Sequence, residues 1–368
     1  MAAVAEEEEA VAGEIAEIDT KVLSDQLKFL SEFLQKQGLS FLGVVSPETH
    51  EDFEKYQAWL VTGNHGELKY LEQNQKCRRS AKEALSSVQS VIVFGLSYAP
   101  EDAWPAPAYE RARVAAYARF NDYHSLMKSS AQRAVTEWKK FCKATFEYRV
   151  VVDTVPLLER AFARKTGVGF VGKNTCFIHE ERGSFLLLGE ILMSLPFSLK
   201  EKNSNVNCGT CTLCQVECPT GALDQDYQID SRKCLSYWTI EQRGPIPEEF
   251  WPGIGKYWFG CDICQLVCPF NKSAKDNELP ELVKPKTYPS LFEVATMSEE
   301  EYEKIFGGTP LTRAKRNGLR RNALIAMAVN RDPLLEKAIL YSRQDADYPI
   351  SSTLDQIERF CSLNAAKK

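Results

Sequence analysis

Apolar side chains recur at two different spacings along the first half of the chain. Between Leu23 and Leu34 they follow one another at helical intervals, and we expect helical structure over residues 21–60. Residues 90–96 form an unbroken apolar run rich in β-branched residues, which is typical of a buried strand, and residues 148–152 form a second such run. The pattern therefore predicts both helices and buried strands.

Helical spacing returns between and after the two strands. Residues 131–146 carry apolar side chains at helical intervals, and residues 157–165 predict a further helix that Thr154 and Pro156 open. Strands that alternate with helices favour an α/β layer. Cysteines then interrupt the pattern, and the chain after Asn277 is again helical with loops.

The chain divides into an acidic tail and three regions. The tail is predicted to be disordered, and it is acidic where targeting peptides are basic. We expect a tail over residues 1–20, an α/β domain over residues 21–200, a cysteine-rich domain over residues 201–275 and a helical region over residues 276–368.

The composition is typical of a soluble globular protein, and because the tail is unlike a targeting peptide we expect the protein in the cytoplasm. The 368 residues are 44% hydrophobic and 26% charged, and the net charge of −5 gives no overall attraction to nucleic acid. No apolar run approaches the roughly 18 residues of a membrane span. The longest run, from Phe185 to Phe197, is interrupted by Glu190 and Pro196. We expect no membrane association.

Eight of the twelve cysteines lie close together in the cysteine-rich domain. The run that begins at Cys208 reads Cys-x2-Cys-x2-Cys-x3-Cys-Pro, the pattern of two-cluster [4Fe–4S] ferredoxins in which the fourth cysteine binds the other cluster. A second run begins at Cys261 and has Trp258 where a leading cysteine would stand, so Cys234 supplies the missing thiolate. The spacing predicts one cluster held by Cys208, Cys211, Cys214 and Cys268, and another held by Cys218, Cys234, Cys261 and Cys264.

Two other uses of cysteine fit the spacing less well. Structural zinc uses two separated Cys-x2-Cys pairs, whereas three cysteines at successive intervals of three suit a cube with one thiolate per iron. Disulfides belong to oxidising compartments, and no export signal is recognised here. The scattered Cys77, Cys142, Cys176 and Cys361 have no predicted role.

One stretch of the helical region is strongly basic. No acidic residue occurs between Lys304 and Arg331, and on a helix Arg313, Arg316 and Arg320 would share one face. Such a stripe suits the phosphates of RNA. It also suits a solvated helix face that pairs with acids elsewhere in the fold, and the stretch alone leaves both interpretations open.

Several long motifs resemble those of the epoxyqueuosine reductase family. They run in one order from about Tyr70 to Asn330: VDTVPLLERAFARKTGVGFVGKNT, GSFLLLGEIL, CGTCTLCQVECPTGAL, CLSYWTIEQRGPIPEE and GCDICQLVCPFN. The resemblance implies an α/β (α+β) fold class, related to reductive dehalogenases. It implies a nitroreductase-like cobalamin-binding domain, a two-cluster ferredoxin-like domain and a C-terminal helical HEAT-like region. The segment after Asp345 matches the family's repeats poorly, so the extent of tRNA contact stays open.

The same resemblance implies a set of site residues. Asp153 in VDTVPLLER would be the proton donor. Cob(II)alamin would be contacted by Arg78, Tyr117, Asp153, Lys173, Asn174, Ser236, Asp262 and Ile263. The tRNA would be contacted by Glu241, Arg243, Arg313, Arg316 and Arg320.

The position of Asp153 fits the role of an acid. It follows an apolar strand, so we expect desolvation to raise its pKa and to keep the carboxyl protonated near neutral pH. The alternative is that Asp153 or Thr154 caps the helix that contains Pro156.

The resemblance implies reduction of epoxyqueuosine to queuosine at the wobble position of tRNA, the last step of queuosine biosynthesis. The epoxide takes up two electrons and two protons and yields an alkene and water. Two [4Fe–4S] clusters would feed the cobalamin from an external donor such as ferredoxin or flavodoxin, and we expect a monomer. Two alternatives are a two-cluster electron-transfer protein, which would leave the α/β domain without a use, and a reductive dehalogenase, which typically carries an export signal.

Overall fold

The computed structural model describes residues 20–98, 112–142, 144–197, 203–273, 279, 281–282 and 289–365. The predicted disordered tail lies outside these residues, except for Thr20, where the first helix begins. Within the described ranges, no helix is long and apolar enough to cross a membrane.

Antiparallel strands form the central sheet of the first domain. The strands of the described chain are β1 (Ser40–Val45), β2 (Ser90–Ser97), β3 (Arg113–Val114), β4 (Tyr148–Val151), β5 (Gly169–Val171), β6 (Phe177–His179), β7 (Leu186–Met193) and β8 (Tyr257–Phe259). The central sheet has the order β1-β2-β7-β4, and all of its neighbouring strands are antiparallel. Strands β5 and β6 form a separate hairpin, and β3 and β8 form a short parallel pair.

Helices surround the sheet and make up most of the C-terminal region. They are α1 (Thr20–Lys36), α2 (His50–Val61), α3 (Gln75–Arg79), α4 (Tyr123–Lys139), α5 (Glu159–Lys165), α6 (Leu213–Val216), α7 (Trp251–Ile254), α8 (Ile263–Leu266), α9 (Leu291–Thr296), α10 (Glu299–Phe306), α11 (Lys315–Asn330), α12 (Leu335–Ser342) and α13 (Ile350–Ala365).

The sheet is buried on both faces. Strand side chains alternate between faces, so adjacent residues of β2 enter different cores. Phe94 packs in the core that contains Leu30 of α1 and Trp138 of α4, while Val93 packs in the core that contains Phe162 of α5. Every residue of β2 is consequently buried.

A third core joins the cysteine-rich domain to the helical region. Leu319 and Leu324 of α11 are fully buried there, together with Trp251 of α7 and Phe259 of β8. Strand β8 of the cysteine-rich domain also pairs with β3, which belongs to the α/β domain. The cysteine-rich domain therefore contacts both the α/β domain and the helical region.

The predicted fold class and both predicted strands are confirmed, while some helix bounds are wrong. Residues 21–60 form two helices with β1 between them. Helix α1 ends at Lys36 because Gly38 follows with φ of 74°, a backbone conformation that suits glycine and stops a helix.

The other two predicted helices are displaced along the chain. The helix expected over residues 131–146 begins earlier, at Tyr123, because the Asp122 side chain caps it by accepting a hydrogen bond from the His124 N–H at 2.9 Å. The helix expected over residues 157–165 begins later, at Glu159. The segment between β4 and Glu159 is therefore free to form part of a cavity wall.

Candidate active site

Four thiols of the cysteine-rich domain surround a small cavity beside the α/β domain. The cavity has a volume of about 40 Å³, and the thiols that line it are those of Cys208, Cys211, Cys214 and Cys268. Burial raises the pKa of the Cys214 thiol to about 11, and the other three thiols add to that rise. The Lys173 N–H donates a hydrogen bond to Cys208 Sγ at 3.4 Å.

The remaining four thiols of the motif form a second group. It consists of Cys218, Cys234, Cys261 and Cys264. Burial raises the pKa of Cys261 to about 12, with Cys234 and Cys218 adding to the rise. The pKa of Cys264 is raised first by a hydrogen bond with Cys176, a residue without a predicted role. The two groups have the same members as the two sets that the cysteine spacing predicts.

The thiols of each group stand apart from one another. Across the described part of the chain, no three His, Cys, Asp or Glu side chains converge closely enough to hold a single metal ion. A cube takes one thiolate at each of four irons, so its ligands are more widely spaced than those of one ion.

A larger cavity opens beside the segment that follows β4. Its volume is about 640 Å³, and its lining includes Tyr70, Arg78, Asp153 and the three leucines at the start of β7. Arg78 is only 8% exposed, and within the described chain its Nε has no hydrogen-bond partner. A buried guanidinium with an N–H that has no acceptor can donate a hydrogen bond to a ligand that carries amide or anionic oxygens.

Asp153 lies at the wall of this cavity in a strained backbone conformation. Its φ of 52° is in the left-handed region that few residues other than glycine adopt. The Asp153 N–H donates a hydrogen bond to Glu159 Oε1 at 2.7 Å. On the side chain, Oδ2 lies 3.0 Å from His124 Nε2 and accepts from the Tyr123 hydroxyl at 3.4 Å.

The expected protonation of Asp153 is wrong. The hydrogen bond from His124 lowers the pKa of Asp153 and outweighs burial, which acts in the opposite direction. The same bond raises the pKa of His124, whose Nδ1 lies 2.6 Å from Asp122 Oδ1. The pair therefore favours an imidazolium beside a carboxylate, with the proton held on His124.

The alternative role of Asp153 or Thr154 as a helix cap is also wrong. Helix α5 begins at Glu159 with Leu158 as its N-cap residue, and no side chain accepts a capping hydrogen bond there. The Asp153 carboxylate is instead engaged by His124 and faces the cavity.

Three residues predicted to touch cobalamin lie close to the thiols. Lys173 and Asn174, in the turn between β5 and β6, line the small thiol cavity, and Asn174 Nδ2 donates to the Cys264 carbonyl at 3.3 Å. Asp262 is 2% exposed and accepts a hydrogen bond from the Ala116 N–H at 2.7 Å. Burial raises the pKa of Asp262 to about 6.

The last three residues of that set are Tyr117, Ser236 and Ile263. Burial raises the pKa of Tyr117, and the charges of Asp262, Glu241 and Asp153 raise it further, so this phenol is close to all three carboxylates. Ser236 precedes a π-helical turn over Tyr237–Glu241, and Ile263 begins α8. Turns of this kind occur often at functional sites.

The predicted cationic stripe for tRNA is wrong in two of its three arginines. Arg320 is 1% exposed, donates to the Ala295 carbonyl and pairs with Asp345 at 2.7 Å. The Arg316 side chain is 17% exposed and pairs with Glu299 and Asp345. The fold supplies acids from outside the acid-free stretch, so these guanidinium groups are not available for phosphates.

The other predicted tRNA residues form a small cluster near the large cavity. Arg313 lies in a 3-10 turn before α11, and its Nε and Nη2 donate to the Glu241 carboxylate at 2.9 and 3.0 Å. Its guanidinium also stands over the Tyr70 ring at 5.4 Å from the centroid. Arg243 donates to the carbonyls of Arg313 and other residues, so it holds the turn in place.

Sequence reasoning missed one acidic residue of the site and one buried acidic residue outside it. Glu159 lines the large cavity, and Glu190 is fully buried behind it. The interruption of the longest apolar run by Glu190 was the one available indication. His124 and Tyr123 contact Asp153 through packing of α4, which no local pattern reveals.

Comparison with known proteins relates the chain to one family. Residues 78–154 match the family model described as epoxyqueuosine reductase QueG, DUF1730, and residues 207–271 match the 4Fe-4S double cluster binding domain. The chain is 36% identical over 324 residues to the epoxyqueuosine reductase of Xanthomonas campestris pv. campestris, covering 85% of this chain and 89% of the relative. It is 33% identical over 297 residues to that of Escherichia coli strain K12, covering 79% and 77%.

A solved structure agrees with these relatives. The crystal structure of an epoxyqueuosine reductase with a tRNA-Tyr epoxyqueuosine-modified tRNA stem loop has a TM-score of 0.80 to this chain at 26% identity. The similarity covers 91% of this chain and 89% of the solved one.

Proposed function

The chain belongs to the epoxyqueuosine reductase family, and from this premise we propose that it reduces epoxyqueuosine to queuosine at the wobble position of tRNA. The observation that carries the proposal is the His124–Asp153 pair, whose Asp153 lines a cavity of about 640 Å³ in a fold that also groups eight thiols in two sets of four. Such a site combines a proton donor with ligands for electron-carrying clusters.

Each thiol group would hold one [4Fe–4S] cluster, and such clusters pass one electron at a time. When bound, cobalamin would supply a cobalt centre able to deliver electrons to the epoxide. The cavity fits this cofactor because its apolar wall suits a corrin ring and the unpaired Arg78 Nε suits the ring's amide oxygens. The residues proposed to hold it are Arg78, Tyr117, Asp153, Lys173, Asn174, Ser236, Asp262 and Ile263.

Asp153 and His124 would supply the proton to the departing oxygen. His124 Nε2 and Asp153 Oδ2 are 3.0 Å apart, so a proton can cross between them as negative charge develops in the cavity. Asp122 holds the other ring nitrogen of His124, which fixes the imidazole in that orientation. Asp153 is the donor in this scheme, and His124 is the group that stores its proton.

Arg313 and Glu241 are proposed to meet the tRNA, with Arg243 positioning them. The Arg313 side chain is 54% exposed, and the Tyr70 ring beneath it also lines the large cavity. A nucleotide that enters the cavity would therefore pass this cluster. We further infer a cytoplasmic protein with an external electron donor such as ferredoxin or flavodoxin, and the monomeric state stays a prediction.

Anaerobic reconstitution with iron, sulfide and cobalamin, followed by nucleoside analysis of epoxyqueuosine-containing tRNA, tests the proposal. We expect the wild type to form queuosine. Asp153→Asn should keep its iron and corrinoid while turnover falls about a hundredfold, the usual scale of general acid catalysis. Halogenated aromatics serve as a control substrate. A fully loaded wild type that forms no queuosine, or an Asn variant with normal turnover, would contradict the proposal.

A further inference from the structure

Two carboxyl groups near Asp153, those of Glu159 and Glu190, have no role in the chemistry described so far. Glu159 lines the same cavity as Asp153, and its Oε1 accepts the hydrogen bond from the Asp153 N–H at 2.7 Å. Glu190 lies deeper, on β7, and is aligned with Val151 of β4 in the sheet. It is fully buried, and in the described chain neither of its oxygens has a hydrogen-bond partner.

Three acids so close together cannot all be ionised. A buried carboxylate without a hydrogen-bond partner or a counter-ion is too costly, so Glu190 is a neutral acid. Of the three acids, Asp153 is the one that is hydrogen-bonded to a cationic side chain, that of His124. Glu159 has no such direct partner among the described residues, although Arg160 and His124 are near enough to favour its charged form.

The electrostatics of Glu159 agree with this arrangement. Burial raises its pKa to about 8, the negative charge of Asp153 adds to the rise, and the Asp153 N–H, Arg160 and His124 oppose it. Since Oε1 accepts from the Asp153 N–H, the proton of the neutral acid belongs on Oε2.

We propose that Glu159 is the second acid of this site, holding one of the two protons that the reduction consumes while the His124–Asp153 pair holds the other. This inference rests on the proposed function. It extends the assignment of Asp153 because the reduction consumes two protons, and a second acid at the site removes the need to reprotonate Asp153 between the two C–O cleavages.

The proposal balances the reaction. Both C–O bonds of the epoxide break, a C=C bond forms, and two electrons delivered through the clusters enter with two protons. The proton from His124 and Asp153 converts the ring oxygen to a hydroxyl as the first C–O bond breaks. The proton from Glu159 leaves with that hydroxyl as water when the second C–O bond breaks. Both acids then regain their protons from solvent.

The first test is the pH dependence of single-turnover reduction in the reconstituted protein. We expect the wild-type rate to fall as pH rises through about 8, where Glu159 loses its proton. Glu159→Gln keeps the Oε1 acceptor for the Asp153 N–H but cannot donate as an acid, so its rate should be lower by about a hundredfold and lack this fall. Glu190→Gln is the matched control, because Glu190 does not line the cavity, and it should keep both rate and profile.

The second test does not depend on turnover. Infrared spectroscopy of the protein without substrate follows the C=O band of protonated carboxyls from about pH 6 to about pH 10, on either side of the Glu159 pKa. Near pH 8 the wild type and Glu190→Gln should lose one such band, and Glu159→Gln should lose no band at that pH. Unchanged iron content in each variant shows that the fold is kept.

The outcomes separate this proposal from the proposed function. Active wild type together with a Glu159→Gln variant that keeps the wild-type rate and pH profile would overturn the second acid alone. Equal changes in the two Gln variants would do the same. A fully loaded wild type that forms no queuosine would overturn the proposed function and this inference with it.

Discussion

At the residue scale, Glu190 couples folding to proton uptake. Burial and then the charges of Glu159 and Asp153 raise its pKa well above the usual range, so the folded protein keeps the proton at neutral pH. In the unfolded chain the same carboxyl titrates near about 4.3. The folded state therefore binds more protons than the unfolded state above that pH, and this group lowers stability as pH rises.

We predict that Glu190→Gln gains stability relative to the wild type as pH rises. Near pH 4 the carboxyl is largely neutral in both states, and the variant differs only in packing. At higher pH the unfolded wild type ionises while the variant cannot, so the difference in unfolding free energy moves towards the variant by up to about 1.4 kcal/mol per pH unit. Denaturant unfolding at several pH values measures it. A difference that does not change with pH would mean that Glu190 is ionised in the fold.

Charge states of this kind are poorly predicted from sequence. The sequence predicted the strand before Asp153. The direction of the pKa shift of Asp153, however, depends on His124, which lies 29 positions earlier and which α4 brings to within 3.0 Å. Desolvation, the argument that failed for Asp153, does raise the pKa of Glu159 and Glu190, and among the described residues neither has a hydrogen-bonded cationic partner. Burial can be inferred from a pattern, whereas a single hydrogen bond across the fold cannot.

At the scale of elements, the cysteine-rich domain takes one thiol of the second group from a separate loop. Cys234 ends a 3-10 turn over Ser231–Lys233 and lies just before the π-helical turn. Trp258, where a ligand would otherwise stand, is buried in β8 and cannot replace it. The second thiol group is therefore incomplete without this loop.

We predict that Cys234→Ser loses about half of the bound iron, because only the second cluster depends on that thiolate. Cys77→Ser is the matched control, since Cys77 lies outside both thiol groups in α3, and it should keep full iron content. Iron and sulfide analysis after anaerobic reconstitution measures the loss. Full iron content in Cys234→Ser would remove Cys234 from the ligand set.

Elements with strict spacing were predictable, and elements defined by remote partners were not. The cysteine intervals alone predicted which thiols belong to each of the two groups that the fold brings together. The basic stretch correctly predicted a helix, but the prediction that its arginines are exposed was wrong. Glu299 and Asp345 come from other helical segments and pair with Arg316 and Arg320, which are largely buried. Charge spacing along one helix says nothing about what packs against it.

At the scale of the whole molecule, the cluster of Tyr70, Glu241 and Arg313 beside the large cavity joins all three regions of the chain. Tyr70 comes from the α/β domain, Glu241 from the cysteine-rich domain and Arg313 from the helical region. The three regions therefore contribute one residue each to a single patch. A macromolecular substrate that binds there would contact all of them at once.

We predict that Arg313→Ala weakens binding to tRNA and lowers the slope of log affinity against log salt by roughly 0.7 to 0.9, the value for one lost phosphate contact. Arg331→Ala is the matched control, because it removes an exposed arginine at the other end of α11. Affinity at several salt concentrations provides the measurement. The same slope in both variants and the wild type would exclude a phosphate contact at Arg313.

Arg321 has a consequence for the genetics of this protein. Its guanidinium is fully buried and donates to the carbonyls of Trp238, Gln242 and Gly244, so α11 braces the turn that follows Cys234. Nonsense alleles that end the chain between the cysteine-rich domain and Arg321 should therefore behave as loss-of-function alleles, although they encode all eight cluster cysteines.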